Sequence, residues 1–258
     1  MEATRPLGDG NRLAGLTVLV TGASRGIGEA VARACAAAGA ALALTARDAA
    51  RLEAIAADLA LTARDSSGLD AIAADLRASG RKAESFPADA RDEAAVAAVV
   101  DAARSRLGPL DAAVLNQGIN RIVPIADMTA AQWHEVLDTN LTASFLFARA
   151  LARENPPPAT IVLVSSVSGL PGHLKFPGFA AYCAAKRGLL GLAEVLAVEL
   201  ADRGTRVYAV CPRGVDTEMF RQTFPDAEAH LTADQVAAKI LDLLDPATAP
   251  PTGAVIEI

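Results

Sequence analysis

The sequence predicts an α/β fold, a single-domain, doubly wound parallel sheet of about seven strands with helices on both faces. Three observations predict it. Short apolar runs alternate along the chain with longer alanine-rich amphipathic segments. The first of those runs is apolar almost throughout, as a strand covered on both faces is. A glycine-rich loop joins that run to the helix that follows.

The elements follow in order. "LTVLVTG" (16–22) reads as a buried strand, and "GEAVARACAAAGA" (28–40) as a helix stopped near Gly39. "ALALTAR" (41–47), "KAESFPAD" (82–89) and "LDAAVLNQG" (110–118) read as the next strands. "TIVLVSS" (160–166) and "RVYAVCP" (206–212) each follow a helical stretch, and "GAVIEI" (253–258) closes the chain. Such alternation winds with right-handed crossovers, and ligands then sit beyond the carboxyl ends of the strands.

One segment breaks the pattern. "ALTARDAARLEAIAADL" (43–59) is followed at once by "ALTARDSSGLDAIAADL" (60–76), a tandem duplication with a period of 17. Two copies do not make a solenoid. As continuous helix the second copy would add roughly 25 Å and turn its apolar stripe about 100° from the first. Ser66, Ser67 and Gly68 are weak helix formers, so the expectation is a break there, with one helical piece on the sheet and one protruding.

The 258 residues suit one domain (1–258), with 1–12 as a flexible polar tail. Apolar residues are 52% of the chain but aromatics only 4%, which points to closely packed alanine-rich helices. The net charge of −6, with no basic stripe, argues against nucleic acid as a partner. Cys35, Cys183 and Cys211 are odd in number and have no metal-like spacing, so neither a disulfide framework nor a metal site is expected. With no apolar signal core and no membrane-length run, the expected setting is soluble and cytoplasmic.

"TGASRGIG" (21–28) carries the binding chemistry. Gly22, Gly26 and Gly28 allow a tight turn close to a pyrophosphate, with Ser24, Arg25 and Ile27 between them. An acidic residue at the end of the second strand would bind a ribose hydroxyl, whereas an arginine accommodates a 2′-phosphate. Here Arg47 occupies the tip and Arg25 lies in the loop, so a two-guanidinium clamp favours NADPH/NADP+. Asp48 could still turn toward a hydroxyl, and Arg64 of the second copy could replace Arg47.

With "LNQG", "DTN", "VSSVSG", "YCAAK" and "VCPRGVDTEM" in order behind that loop, the chain resembles the short-chain dehydrogenase/reductase family from about Leu13 to Ile258. It is most similar to NADPH-dependent reductases of the beta-ketoacyl carrier-protein type, which have a Rossmann-type sheet. The resemblance implies that Tyr182 donates a proton and that Lys186 lowers its pKa and holds the nicotinamide ribose. It implies that Ser166, rather than its neighbour Ser165, bonds the substrate carbonyl, and that Asn140 holds a water linking Lys186 to solvent. Asn116 and Gly118 would lie by the adenosine ribose, Asp89 and Ala90 by the adenine, and Pro212, Val215 and Thr217 by the carboxamide and pyrophosphate. A homotetramer or homodimer through helices around 131–155 and 181–203 is also implied. The chemistry agrees: free tyrosine titrates near pH 10, and an ammonium four residues on would favour tyrosinate.

Some residues depart from the family pattern. Gln117 replaces a usual Asn or Ala and is expected near the substrate, and Arg213 replaces a glycine, where it would either bind an anionic substrate group or remain a solvated loop residue. His173, Lys175, Phe176 and Phe179 lie in a slightly long 166–182 segment and could shape the substrate pocket. The lid after Thr217 is short, which suggests an open cleft for a bulky or carrier-linked carbonyl substrate. The expected function is NADPH-dependent reduction of a ketone or beta-ketoacyl carbonyl. The alternatives are an NAD-linked alcohol dehydrogenase and a non-catalytic NADP-binding scaffold or sensor.

Overall fold

A computed structural model of the protein describes residues 12–50, 83–173 and 175–258. The 43–76 duplication falls largely outside them, as do Arg64 and the expected break at 66–68. Seven strands form the main sheet: β1 (Thr17–Thr21), β2 (Ala41–Thr45), β3 (Ala83–Ser85), β4 (Ala112–Leu115), β5 (Thr160–Val164), β6 (Arg206–Cys211) and β9 (Val255–Glu257). Their order is β3-β2-β1-β4-β5-β6-β9, and every neighbouring pair is parallel. Two short strands, β7 (Val215–Asp216) and β8 (Leu231–Thr232), pair separately.

Several strands are shorter than the apolar runs that announced them. β3 stops at Ser85 instead of Asp89, because Pro87 brings no N–H to a ladder. β9 begins only at Val255, after Gly253 at φ +85.

The described helices are α1 (Gly26–Ala37), α2 (Glu93–Leu107), α3 (Ala130–Leu137), α4 (Ala143–Ala152), α5 (Ala180–Glu199), α6 (Glu218–Thr223) and α7 (Ala233–Leu244). A π-turn over Asp138–Thr142 joins α3 to α4. Helix starts follow the local chemistry. Asp92 accepts from Ala94 and Ala95 N–H at α2, and Thr129/Gln132 and Thr232/Gln235 form reciprocal capping boxes at α3 and α7.

Strand alternation divides the core. Val18, Val20, Val162, Val164, Tyr208 and Val210 face the side covered by α1 and α7. Leu19, Ile161, Leu163, Val207 and Ala209 face the side covered by α2, α4 and α5. Each large aliphatic side chain so buried contributes roughly 1.5–3 kcal/mol. Alanines 30, 32 and 38 let α1 lie close to the sheet and to α7, as the composition suggested.

Candidate active site

β1 sits between β2 and β4, and the chain leaves those two strands toward opposite sheet edges, so a crevice opens beyond their carboxyl ends. Thr21 ends β1. Its hydroxyl donates to the Val114 carbonyl at 3.3 Å and to Gln117 Oε1, and accepts from Asn116 N–H at 2.9 Å. These bonds tie the end of β1 to the turn after β4.

The glycine loop follows. Gly22 and Gly26 take φ +61 and +57, which other residues adopt at a cost. A Cβ on Gly28 would stand 2.3 Å from the Gly22 carbonyl oxygen and 2.6 Å from Asn116 Nδ2. α1 therefore starts pressed against the loop, and Arg25 at its N-cap gives no side-chain cap to the first N–H groups.

A cavity of about 310 Å³ lies along this loop. Gly22, Ser24, Arg25, Gly26, Ile27, Arg47, Asp89, Ala90, Asn116, Gly118, Tyr182, Lys186 and Thr217 all stand on its wall. Of the residues expected at a cofactor, Gly28 packs behind the loop, while Pro212 and Val215 line a second cavity instead. The loop that a Cβ would fill and the uncapped helix start suit a dinucleotide pyrophosphate.

The basic groups divide their contacts. Arg47 stands exposed on the wall. Arg25 instead pairs with Glu218 of α6 at 2.9 Å, bridging loop and lid. Arg91, which the sequence reading missed, holds Asp89 through Nε at 3.0 and 3.1 Å and through Nη2 at 2.5 Å. Those hydrogen bonds pull the Asp89 carboxyl down to about 2. Its oxygens are thus engaged by Arg91, where an adenine contact was expected. The signal for Arg91 was its place two residues after that aspartate, at the mouth of the same strand.

Tyr182 and Lys186 lie one turn apart on α5, with Lys186 Nζ 5.6 Å from the phenol ring centre. Nζ donates to the Val164 carbonyl at 2.9 Å, and burial draws the ammonium down to about 8. The phenol behaves contrary to expectation. Burial raises it to about 12, and a hydrogen bond with Ser166 pulls the other way. Lys186 is not among the groups that lower it, because its ammonium is turned to the Val164 carbonyl.

The serine turn is held closely against α5. Ser165 Oγ donates to the Lys186 carbonyl at 2.8 Å, and a Cβ on Gly169 would stand 2.7 Å from that carbonyl. Ser165 Oγ is thereby turned to the helix backbone, and both Ser165 and Ser166 lie on the wall of the second cavity. The Lys175 ammonium, from the same segment, donates to the Ser168 and Leu170 carbonyls at 2.8 and 2.7 Å.

Asn140 sits in the π-turn, fully buried. Its Oδ1 accepts from Ile119 N–H at 2.7 Å and its Nδ2 donates to the Ile119 carbonyl at 2.9 Å. The amide expected to hold a water therefore fixes the 118–120 wall. A Cβ on Gly118 would lie 3.1 Å from Asn140 Oδ1 and 3.7 Å from Lys186 Nζ, so the three residues converge. Gln117, expected near substrate, is buried instead. Its amide accepts from Thr21 and donates to Ser144 Oγ at 3.0 Å, so its side chain belongs to the core.

A second cavity of about 490 Å³ meets the first at Tyr182, and Ser166, His173, Phe176 and Arg213 line it. Arg213 is no free anion receptor: it pairs with Glu257 at 2.8 Å, and the same carboxylate takes His173 at 3.2 Å. Phe220, Phe224, Asn120 and His230 were assigned nothing from sequence, yet they also line this cavity. The two rings were legible only as the spacing "MFRQTF" on one helix face. Among the described residues, no group of three or more His, Cys, Asp or Glu is placed to hold a metal, and no helix is long and apolar enough to cross a membrane.

Comparison with known proteins agrees with this geometry. A family model described as short chain dehydrogenase matches residues 16–64 and 56–228. The two matches overlap inside the 43–76 duplication. The chain is 32% identical over 228 residues to 3-oxoacyl-[acyl-carrier-protein] reductase FabG of Escherichia coli (strain K12), covering 88% of this chain and 84% of that one. It is 31% identical over 208 residues to D-threitol dehydrogenase of Mycolicibacterium smegmatis, covering 81% and 73%. A short chain dehydrogenase from Burkholderia cenocepacia, solved in complex with NADP, superposes with a TM-score of 0.80 at 31% identity, covering 96% and 98%.

Proposed function

This chain belongs to the short-chain dehydrogenase family, and from that premise we propose that it is an NADPH-dependent oxidoreductase that reduces a ketone or beta-ketoacyl carbonyl to an alcohol. The observation that carries the reading is Tyr182 at the junction of two cavities, with Ser166 beside it on the wall of the second and Lys186 one helical turn away.

Gly22, Gly26 and the start of α1 suit the pyrophosphate, and Arg47, exposed on the same cavity wall, would meet a 2′-phosphate. NADPH, when bound, supplies the hydride that reaches the carbonyl carbon. Tyr182 gives its phenolic proton to the carbonyl oxygen, and the C=O pair becomes C–O–H. A phenol raised to about 12 holds its proton at neutral pH, and charge developing on the carbonyl oxygen has to draw that proton across. Ser166 stabilises charge growing on that oxygen, as an oxyanion donor does. The phenolate left behind regains its proton from solvent, and the Lys186 ammonium would balance it only on turning from the Val164 carbonyl toward the phenol. Asn140, through Ile119, fixes the wall above Lys186.

A second reading, an NAD-linked alcohol dehydrogenase, is favoured by Asp48 beside Arg47 on the cavity wall. Steady-state rates with NADPH and NADH on a ketone panel separate the two. We expect kcat/KM to favour NADPH by about tenfold or more, the worth of one good charge contact. A preference for NADH would replace the first reading with the second. As partners we propose a small-molecule or carrier-linked carbonyl and further copies of this chain, in the cytoplasm. Exposed Val195 (53%) and Val198 (78%) on α5 support self-association.

A further inference from the structure

The second cavity carries more than a place for a carbonyl. Aromatic residues are only 4% of the chain, yet four phenylalanines gather here. Phe179 stands edge-on to the reacting ring of Tyr182, with centroids 5.9 Å apart and planes at 85°. Phe224 stacks on Phe179 at 5.8 Å and 23°. Phe176 meets Phe224 edge-on at 5.1 Å, and Phe220 packs at 5.5 Å from it. The rings come from two segments, the 166–182 connection and α6 with its end, so they form a wall and not one helix stripe.

Charge at the mouth is balanced within the protein. The Arg213 guanidinium and His173 both hold Glu257, and Lys175 holds backbone carbonyls. Glu228 adds a further negative charge to the lining. An anionic substrate, or a carrier's phosphate, would have to compete with the Glu257 carboxylate for Arg213 and His173. On the wall of this cavity Asn120 Oδ1 is buried and, among the described residues, accepts no hydrogen bond. A buried acceptor left unpaired is destabilising, and a donor on a ligand would relieve it.

We propose that the substrate is an uncharged ketone carrying an aromatic or alicyclic ring and a hydrogen-bond donor, with the ring against Phe176, Phe179 and Phe224 and the donor on Asn120 Oδ1. This deepens the proposed function and rests on it. Face and edge contacts with flat rings give the wall its selectivity. Asn120 discriminates because an analogue without the donor leaves its oxygen unpaired.

The test uses the full chain with NADPH and four probes: 4-hydroxyacetophenone, 4-methoxyacetophenone, 2-octanone and acetoacetyl-coenzyme A. We expect kcat/KM for 4-hydroxyacetophenone to exceed that for acetoacetyl-coenzyme A and 2-octanone by about tenfold or more. Phe224→Ala should cut the preference over 2-octanone about tenfold, and Asn120→Ala should abolish the preference for the hydroxylated over the methoxylated ring. Calorimetric binding of the same ketones in the presence of NADP+, where no reduction occurs, should show the same order. Preference for the thioester would overturn the proposal and leave the reductase reading standing. Equal losses for ring and chain ketones in Phe224→Ala would do the same. Turnover of no ketone or thioester, with either cofactor, would overturn both.

Discussion

Two residues set the pH behaviour expected of the reaction. The Tyr182 phenol is raised to about 12 by burial, so ultraviolet difference titration of the folded protein should show little tyrosinate at a pH of about 10, where free tyrosine is half ionised. The chain has two tyrosines and burial raises Tyr208 as well, so the folded baseline is clean. A phenolate step near pH 7 would contradict this account. Lys186 is drawn down to about 8, so its ammonium is present below that pH and lost above it. Carbonyl reduction should therefore hold steady through neutral pH and decline as pH rises through about 8; a rate that keeps rising would contradict a role for the charged lysine. At the cofactor end, Arg47→Ala should raise the KM for NADPH by roughly tenfold while leaving that for NADH within about twofold. An unchanged KM for NADPH would move the phosphate contact to another arginine.

The serine turn and α5 make one device, and glycine is what lets them meet. Gly169→Ala places a Cβ 2.7 Å from the Lys186 carbonyl, backbone against backbone, so the turn must move. We expect a loss of roughly 1–3 kcal/mol in stability, read as a lower Tm, together with a fall in kcat larger than any change in the KM for NADPH. Normal Tm and kcat would mean that the turn is not held as described. Much of this was legible in the sequence, because strand runs, the glycine loop and the Tyr-Lys spacing are local patterns. The parallel sheet was legible from the alternation of strand runs and helices, whereas the order of its strands came from the fold itself. What was not legible depended on the partner each side chain finds across the fold. Gln117 read as a cleft residue but turns inward to Thr21 and Ser144. Arg213 read as a possible anion receptor, and only the packing of β9 against β6 brings Glu257 to it. Phe220 and Phe224 gain meaning only when α6 folds over Phe176 and Phe179.

At the scale of the molecule, the parallel sheet opens two cavities at its carboxyl edge and sets one phenol between them. The outer face of α5 leaves Val195 and Val198 to solvent in a single chain, and apolar groups so placed favour assembly. Light scattering should give a multiple of the 26.4 kDa chain mass, and Val195→Glu combined with Val198→Glu should shift it toward the monomer. A monomeric parent would remove the assembly from this account.

The decisive measurement is single-turnover oxidation of NADPH by a reducible ketone in Tyr182→Phe, with NADPH affinity measured on the same preparation. We predict affinity within about twofold of the parent and a rate lower by about 10²–10⁴. A phenylalanine variant that binds NADPH and reduces the ketone at the parent rate would contradict the claim that this phenol supplies the proton.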